Sequence, residues 1–308
     1  MKIIFAGTPA IAAGVLAKIL AAGFSVPLVL TQPDRPAGRG MKLSASAVKE
    51  LAVAAGIEVF QPESLKNNPA AVHKLALVAA DILVVVAYGL ILPEAILAVP
   101  RRGAVNLHVS LLPKWRGAAP IQRALLAGDK YSGVSLMQMD KGLDSGAILD
   151  VATLELAPDE TSGSLHDKLA LLGAAKIVKF LANPDNFTPQ AQDPQAISYA
   201  AKITKAEAQI NWAEAAALIE RKIRGYNPFP GAFSYVDGVL YKIWQAQLIT
   251  SSTTAVAGTI LEAPKGQVWV AAGDGGIVAL REIQAAGGKR SAASLMPRLV
   301  GKQFKTRD

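Results

Sequence analysis

The chain has 308 residues, half of them apolar, with 18% charged side chains, a net charge of +8 and no cysteine. This describes a globular protein long enough for one large domain and a smaller one, and it excludes an intrinsically disordered chain, a disulfide framework, a thiolate nucleophile and Cys-ligated zinc. The positive excess is uneven, because residues 205–308 hold 13 basic and 8 acidic residues, a net +5, against +3 over the preceding 204. A basic C-terminal part points to a polyanionic partner, of which nucleic acid is the commonest.

Lys2 to Ala6 predicts a short apolar strand, Gly7-Thr8-Pro9 a turn, and the Ala-rich stretch that follows a helix to about Ala22. Phe24 to Leu30 predicts a second strand. The opening has the order of a nucleotide-binding βαβ unit, but GxGxxG is missing and Pro9 stands where backbone amides would meet a pyrophosphate, so no dinucleotide is expected. The break at Gly7-Thr8-Pro9 and the charge at Lys18 also argue against a secretory leader. Thr31 to Leu43 predicts a long Gly/Pro-rich loop with three cations, Arg35, Arg39 and Lys42, a pattern suited to phosphate contacts.

A helix from about Ser44 to Ala55, a strand from Ile57 to Phe60 and a helix from Pro69 to Ala79 come next. The continuous apolar run Asp81 to Ala87 predicts a strand buried on both faces of a parallel sheet. At its carboxyl end lie Tyr88, Gly89, Leu90 and Leu92, where Gly89 lets backbone approach a flat ring. Asp81, Pro93 and Glu94 interrupt the apolar stretch Ala76 to Val99, so no membrane span is expected, and with no cysteine a cytoplasmic protein is.

The stretch from Asn106 to Asp144 gathers most of the chemistry. Asn106-Leu107-His108 follows the strand ending Gly103-Ala104-Val105, a Pro-punctuated loop carries the chain away, and Gly142-Leu143-Asp144-Ser145-Gly146 follows a strand predicted from Val134 to Met139. Ligand sites in open α/β sheets form at carboxyl ends of strands. Taken singly, His108 could be a structural histidine, Asp144 a turn former and Asn106 a loop cap. A helix from Ala119 to Ala127, a strand from Ile148 to Leu156 and a helix from Ser162 to Leu181 complete an α/β pattern. The Pro-, Gln-, Asp- and Asn-rich stretch that follows reads as a linker, giving a catalytic domain over 1–189, a linker over 190–206 and a C-terminal domain over 207–308. In the last of these, a helix from Glu214 to Arg224 and short strands near Gly238 to Trp244, Ala257 to Leu261, Gln267 to Ala271 and Gly276 to Ile283 predict a small β-barrel.

These motifs resemble the methionyl-tRNA formyltransferases within the wider 10-formyltetrahydrofolate-dependent formyltransferase family. Asn106-Leu107-His108, Ser110-Leu111-Leu112-Pro113 and Gly142 to Gly146 match the active-site motifs of the group. Arg116 to Gln122, the arginine loop Gln32 to Lys42, Tyr199 to Ile203, Ile210-Asn211-Trp212 and Ile223 to Gly231 resemble the branch that acts on tRNA. Val109, Met41 and Ser44 to Ala47 depart from the usual pattern. The resemblance implies a Rossmann-like α/β formyltransferase domain followed by an OB-like β-barrel that binds tRNA. It implies transfer of formyl from 10-formyltetrahydrofolate to the α-amino group of initiator methionyl-tRNA, chemistry that needs no metal, and with nothing in the sequence pointing to an obligate interface a monomer is expected. It further implies that Asn106, His108 and Asp144 are catalytic, that Tyr88, Gly89, Leu90, Leu92, Ser110, Leu111, Leu112 and Pro113 hold the folate, and that Arg35, Arg39, Lys42 and Arg224 meet the tRNA. Arg221, Lys222, Lys289, Arg290, Arg298 and Lys302 are further candidates for phosphate contacts. The rivals are a formyltransferase for amino-sugar nucleotides, a folate-dependent hydrolase and a non-catalytic nucleic-acid-binding protein.

Overall fold

The apolar residues after Met1 form β1 (Lys2–Gly7), an interior strand of a seven-stranded sheet in a computed structural model that describes residues 1–37, 42–264, 267–295 and 299–306. The chain divides into two units, one made of residues 1–120, 131–155 and 166–200, the other of residues 121–130, 156–165 and 201–308. No helix among the described residues is long and apolar enough to cross a membrane.

In the first unit, β1 runs through Gly7 into α1 (Ala10–Ala21) and then β2 (Ser25–Leu30). Gly7 is required, since a Cβ there would lie 2.6 Å from the Ala12 Cβ and 2.9 Å from the Val86 carbonyl. The stretch expected as a loop instead contains a small hairpin, β3 (Arg35–Ala37) against β4 (Lys42–Ser44). Ser46 caps α2 (Ala47–Ala54) by accepting the Lys49 amide at 3.0 Å, which starts that helix three residues later than expected. There follow β5 (Glu58–Phe60), α3 (Pro69–Val78), β6 (Ile82–Val86), α4 (Glu94–Leu97), β7 (Ala104–His108) and the two-residue β8 (Arg116–Gly117). Beyond α5 (Pro120–Ala127) come β9 (Tyr131–Gln138), β10 (Ile148–Glu155) and α6 (Ser162–Ala182).

The sheet order is β5-β2-β1-β6-β7-β9-β10. Its first five strands are parallel, β9 pairs antiparallel with β7, and β10 pairs antiparallel with β9. The parallel strands are apolar on both faces because helices cover both faces; every residue of β6 and β7 is buried. This Rossmann-like arrangement brings the carboxyl ends of β6 and β7 side by side.

The segment expected as a linker over 190–206 pairs with the first unit along part of its length. Gln190 forms a bridge to Ile148, and β11 (Tyr199–Ala200) pairs in parallel with β8, so the chain up to Ala200 belongs to the first unit. The boundary expected at residue 189 also misses residues 121–130 and 156–165, which join the second unit.

The second unit has α7 (Ala216–Gly225) and an antiparallel sheet of β12 (Phe233–Val236), β13 (Val239–Ser252), β16 (Gly276–Ala285), β15 (Val268–Ala271) and β14 (Ile260–Leu261) in that order, with β17 (Ser291–Ala292) against β16. β13 has three register irregularities, which bend it. Residues 302–305 then join both edges: the Ile260 amide donates to the Lys302 carbonyl at 2.8 Å and the Tyr235 amide to the Lys305 carbonyl at 3.3 Å. The sheet thereby closes into a small barrel around Phe304, whose ring stacks on Trp212 with centroids 5.3 Å apart.

Candidate active site

β7 positions the first two groups. Asn106 and His108 are two residues apart on a strand and share one face, while Leu107 points to the opposite face and meets α6 at Gly173, where any Cβ would lie 2.5 Å from its methyl carbon. Asn106 and His108 are 8% and 6% exposed. The third group, Asp144, comes from the loop between β9 and β10, whose Asp140 carboxylate accepts from the Gly142 amide and the Ser145 hydroxyl and so folds the loop back.

The three side chains converge. Asp144 Oδ2 lies 3.6 Å from His108 Nδ1, and Asn106 Nδ2 lies 3.5 Å from Asp144 Oδ1, the outer limit of a hydrogen bond. The Gly117 amide donates to Asp144 Oδ2 at 2.7 Å. His108 Nε2 lies 2.9 Å from the Trp115 carbonyl. A ring donating there can donate toward Asp144 only as the imidazolium, with both nitrogens protonated. Trp115 and Asp144 both adopt positive φ, +62° and +49°, an arrangement that costs a non-glycine residue about 1–2 kcal/mol. Both of these residues face His108, which is where strained backbone tends to collect.

The loop from His108 to Gly117 is held from beneath by Ser135. Its fully buried hydroxyl donates to the Ser110 carbonyl at 2.7 Å and accepts from the Leu112 amide at 3.0 Å. The Ser110 hydroxyl in turn donates to the Lys114 carbonyl at 2.7 Å. The Pro- and Gln-rich segment contributes Gln192, whose amide nitrogen donates to the carbonyls of Asp144 and Gly146, both at 2.8 Å. Its oxygen accepts from Arg116 Nε at 3.1 Å and Nη2 at 2.7 Å. Sequence reasoning missed Ser135 and Gln192, because a serine in a strand and a glutamine in a linker-like stretch give no signal, and it found Arg116 only as part of the motif Arg116 to Gln122.

The residues expected at the folate separate into two sets. The Tyr88 side chain is buried in the core with Ile4, Leu28, Leu30 and Leu83, and its hydroxyl has no partner among the described residues. Burial pushes this phenol up to about 12. The Tyr88 carbonyl accepts from the Thr8 hydroxyl at 2.8 Å and from Gln32 Nε2 at 3.0 Å. Leu92 and Leu112 are likewise buried. Gly89, exposed at φ +83°, and the half-buried Leu90, Leu111 and Pro113 remain at the surface of the β6 and β7 ends. At φ +83° a side chain at Gly89 would be strained, and its Cβ would displace Gln32 Nε2, 2.1 Å away.

The residues expected at the tRNA also separate. Arg35 is exposed on β3. Arg39 and Arg298 lie outside the described residues, as does the side chain of Lys42. Arg224 is not a free surface cation: its guanidinium pairs with Glu220 at 2.6 Å and donates to the Glu160 carbonyl at 2.9 Å, with 16% of the side chain exposed. Lys222 pairs with Glu214 at 2.5 Å, Lys302 with Asp237 at 2.6 Å, and Arg290 stacks on Trp244 at 3.6 Å from the ring centroid.

An α/β unit with an amide, an imidazole and a carboxylate converging at a strand end, followed by a small barrel, is the architecture of the formyl transferases. The formyl transferase family model matches residues 1–181 and the formyl transferase C-terminal domain model residues 202–297, and the chain belongs to this family. Among curated relatives, it is 52% identical over 293 residues to the methionyl-tRNA formyltransferase of Chromobacterium violaceum, covering 95% of this chain and 94% of that one. It is 52% identical over 295 residues to the enzyme of the same name from Thiobacillus denitrificans, covering 96% and 95%. The crystal structure of an N-formyltransferase from Helicobacter canadensis in complex with folinic acid and dTDP-3-aminofucose shares the fold, with a TM-score of 0.67 at 20% identity over 91% of this chain and 98% of that one.

Proposed function

We propose that this protein transfers the formyl group of 10-formyltetrahydrofolate to the α-amino group of initiator methionyl-tRNA in the cytoplasm, giving formylmethionyl-tRNA for translation initiation. The observation that carries the proposal is the convergence of Asn106, His108 and Asp144 at the end of β7, in a chain half identical to relatives named for this reaction.

The bound folate supplies the formyl carbon. Its flat ring suits the ends of β6 and β7, where Gly89 admits close backbone approach and Leu90, Leu111 and Pro113 offer apolar surface. Acyl transfer to an amine builds negative charge on the carbonyl oxygen and requires a proton to leave the attacking nitrogen. Asn106 Nδ2 carries a second N–H that can donate to that oxygen. His108 Nε2, held on the Trp115 carbonyl, joins as a donor when it releases that carbonyl. Asp144 keeps the imidazole oriented and accepts the proton of the amine, which is then delivered to N10 as the bond from N10 to the formyl carbon breaks and tetrahydrofolate leaves. Its own placement is fixed by the Gly117 amide, so the carboxylate needs no rearrangement during the reaction. Exposed cations such as Arg35 and Lys289 serve the phosphates of the tRNA.

The test is transfer of radiolabelled formyl from 10-formyltetrahydrofolate to methionyl initiator tRNA, with wild type and Asp144→Asn side by side and a dTDP-amino sugar as competing acceptor. Label in the tRNA with wild type and about a thousandfold less with the variant is expected. Label in the sugar nucleotide and none in the tRNA would overturn the assignment.

A further inference from the structure

We infer that Gln192 is a positioning residue for Asp144, and that the segment from Gln190 to Ala200 is for this reason part of the catalytic unit. The inference rests on the catalytic role proposed above for Asp144. All the hydrogen-bonding capacity of the Gln192 carboxamide is committed: two N–H groups to the Asp144 and Gly146 carbonyls, and both oxygen lone pairs to the Arg116 guanidinium. Arg116 is 7% exposed, so its charge is buried against the Gln192 oxygen. The adjoining Gly117 amide holds the Asp144 carboxylate.

The contacts therefore close a ring. Gln192 ties the backbone of Asp144 to Arg116, and the side chain of Asp144 returns to Gly117, the next residue along. Backbone and carboxylate of Asp144 are thus fixed to the same dipeptide from two directions. That double hold keeps a non-glycine residue at φ +49° and sets the 3.6 Å approach to His108. Gly146 adds a limit of its own: a Cβ there would lie 1.7 Å from the Gln138 carbonyl, so the loop has no slack on that side. Loss of the clasp should let Asp144 drift, and a displacement near 1 Å at a reacting group is enough to slow chemistry severalfold to a hundredfold.

Two substitutions separate positioning of Asp144 from simple pairing with Arg116. Gln192→Ala removes both ties. Gln192→Glu keeps an acceptor for Arg116, and strengthens it, but turns a carboxylate oxygen toward two carbonyl oxygens. Positioning predicts that both variants lose about tenfold or more in kcat, with KM for folate and tRNA within about twofold and Tm within a few degrees of wild type. In an Asp144→Asn background, Gln192→Ala should change the single-turnover rate less than about twofold, because the group it positions is gone. A wild-type rate for Gln192→Glu, or a Gln192→Ala loss that multiplies fully with Asp144→Asn, would overturn the inference.

Amide exchange of the free protein gives a readout independent of any acceptor. The Gly117 amide has the Asp144 carboxylate as its acceptor, and it should exchange about tenfold or more faster in Gln192→Ala while the amides of β6 and β7 keep their protection. Unchanged Gly117 exchange would also overturn the inference. If wild type formylates no tRNA but Gly117 exchange responds as expected, the clasp stands and the functional assignment falls.

Discussion

The end of β7 and the basic surface of the barrel differ in how they use polar side chains. At β7, each polar group is tied to a neighbour that is itself part of the site: Asp144 to Gly117, His108 to Trp115, Ser135 to Ser110, Gln192 to Asp144. In the barrel unit, cations that look available in the sequence are engaged by carboxylates and rings of the same unit, as in Arg224 with Glu220, Lys222 with Glu214 and Arg290 with Trp244. The lesson is that position along a strand marks a reactive group better than charge marks a binding group. Chemistry needs fixed geometry, whereas a basic residue can serve the fold as readily as a ligand.

Five substitutions sharpen or break this comparison. The largest effect belongs to the barrel core: Phe304→Ala should cost about 3–5 kcal/mol of stability in the second unit, read from its unfolding transition, because it removes the ring on which Trp212 stacks and leaves a cavity. A loss under about 1 kcal/mol would show that the closing segment is dispensable. Asn106→Ala should lower kcat by about a hundredfold or more, equivalent to ~3 kcal/mol, with circular dichroism and Tm unchanged. An equal rise in KM with kcat intact would mean that the amide binds substrate without acting on the oxyanion.

Arg224→Ala should destabilise the second unit by about 1.5–3 kcal/mol through the orphaned Glu220, yet leave the salt dependence of tRNA binding as in wild type. Lys289→Ala, on an exposed cation, should reduce that salt slope by about 1 with no loss of stability. A reduced slope for Arg224→Ala would break the comparison.

The smallest effect is at Tyr88. Its folded-state phenol is raised to about 12 from 10.0, so the neutral form is favoured by folding. This contribution is complete below pH 10 and is lost as pH rises toward 12. Tyr226 is raised likewise. Tyr88→Phe should change stability at pH 7 by less than about 1 kcal/mol, leave kcat and KM as they are, and remove part of the alkaline loss seen in denaturant titrations between pH 10 and 12. A tenfold rise in the KM for folate would instead place the phenol at the ligand.

Much of this was legible in the sequence. Apolar runs such as Ile82 to Val86, short and rich in β-branched residues, fit strands covered on both faces, and the motif residues on β7 sit at the end of a parallel strand, where such sheets present ligands. What stayed hidden depends on partners remote in the chain. The hairpin at Arg35 to Ser44 is set by pairing within a stretch rich in turn residues, and the burial of the Tyr88 ring was hidden because strand-end position does not reveal which way a ring turns. The engagement of Arg224 within its own unit was hidden because its carbonyl partner, Glu160, is 64 residues away. Gln192 is polar, flanked by Asp193 and Pro194, and had every mark of a connector; only its four hydrogen bonds identify it otherwise.

The interleaving of the two units along the chain has a consequence for modularity. Residues 121–130 and 156–165 interrupt the first unit and belong to the second, where Arg123 pairs with Glu207 at 2.8 Å and Gly225 packs closely on Leu126. Such a chain cannot be cut into two working pieces at one hinge. A protease nick beyond Ala200 would leave fragments still clasped through those inserted stretches. A gene segment encoding only residues 201–308 would keep the buried core of the barrel but lose Leu126, which packs against it, and the Arg123 partner of Glu207.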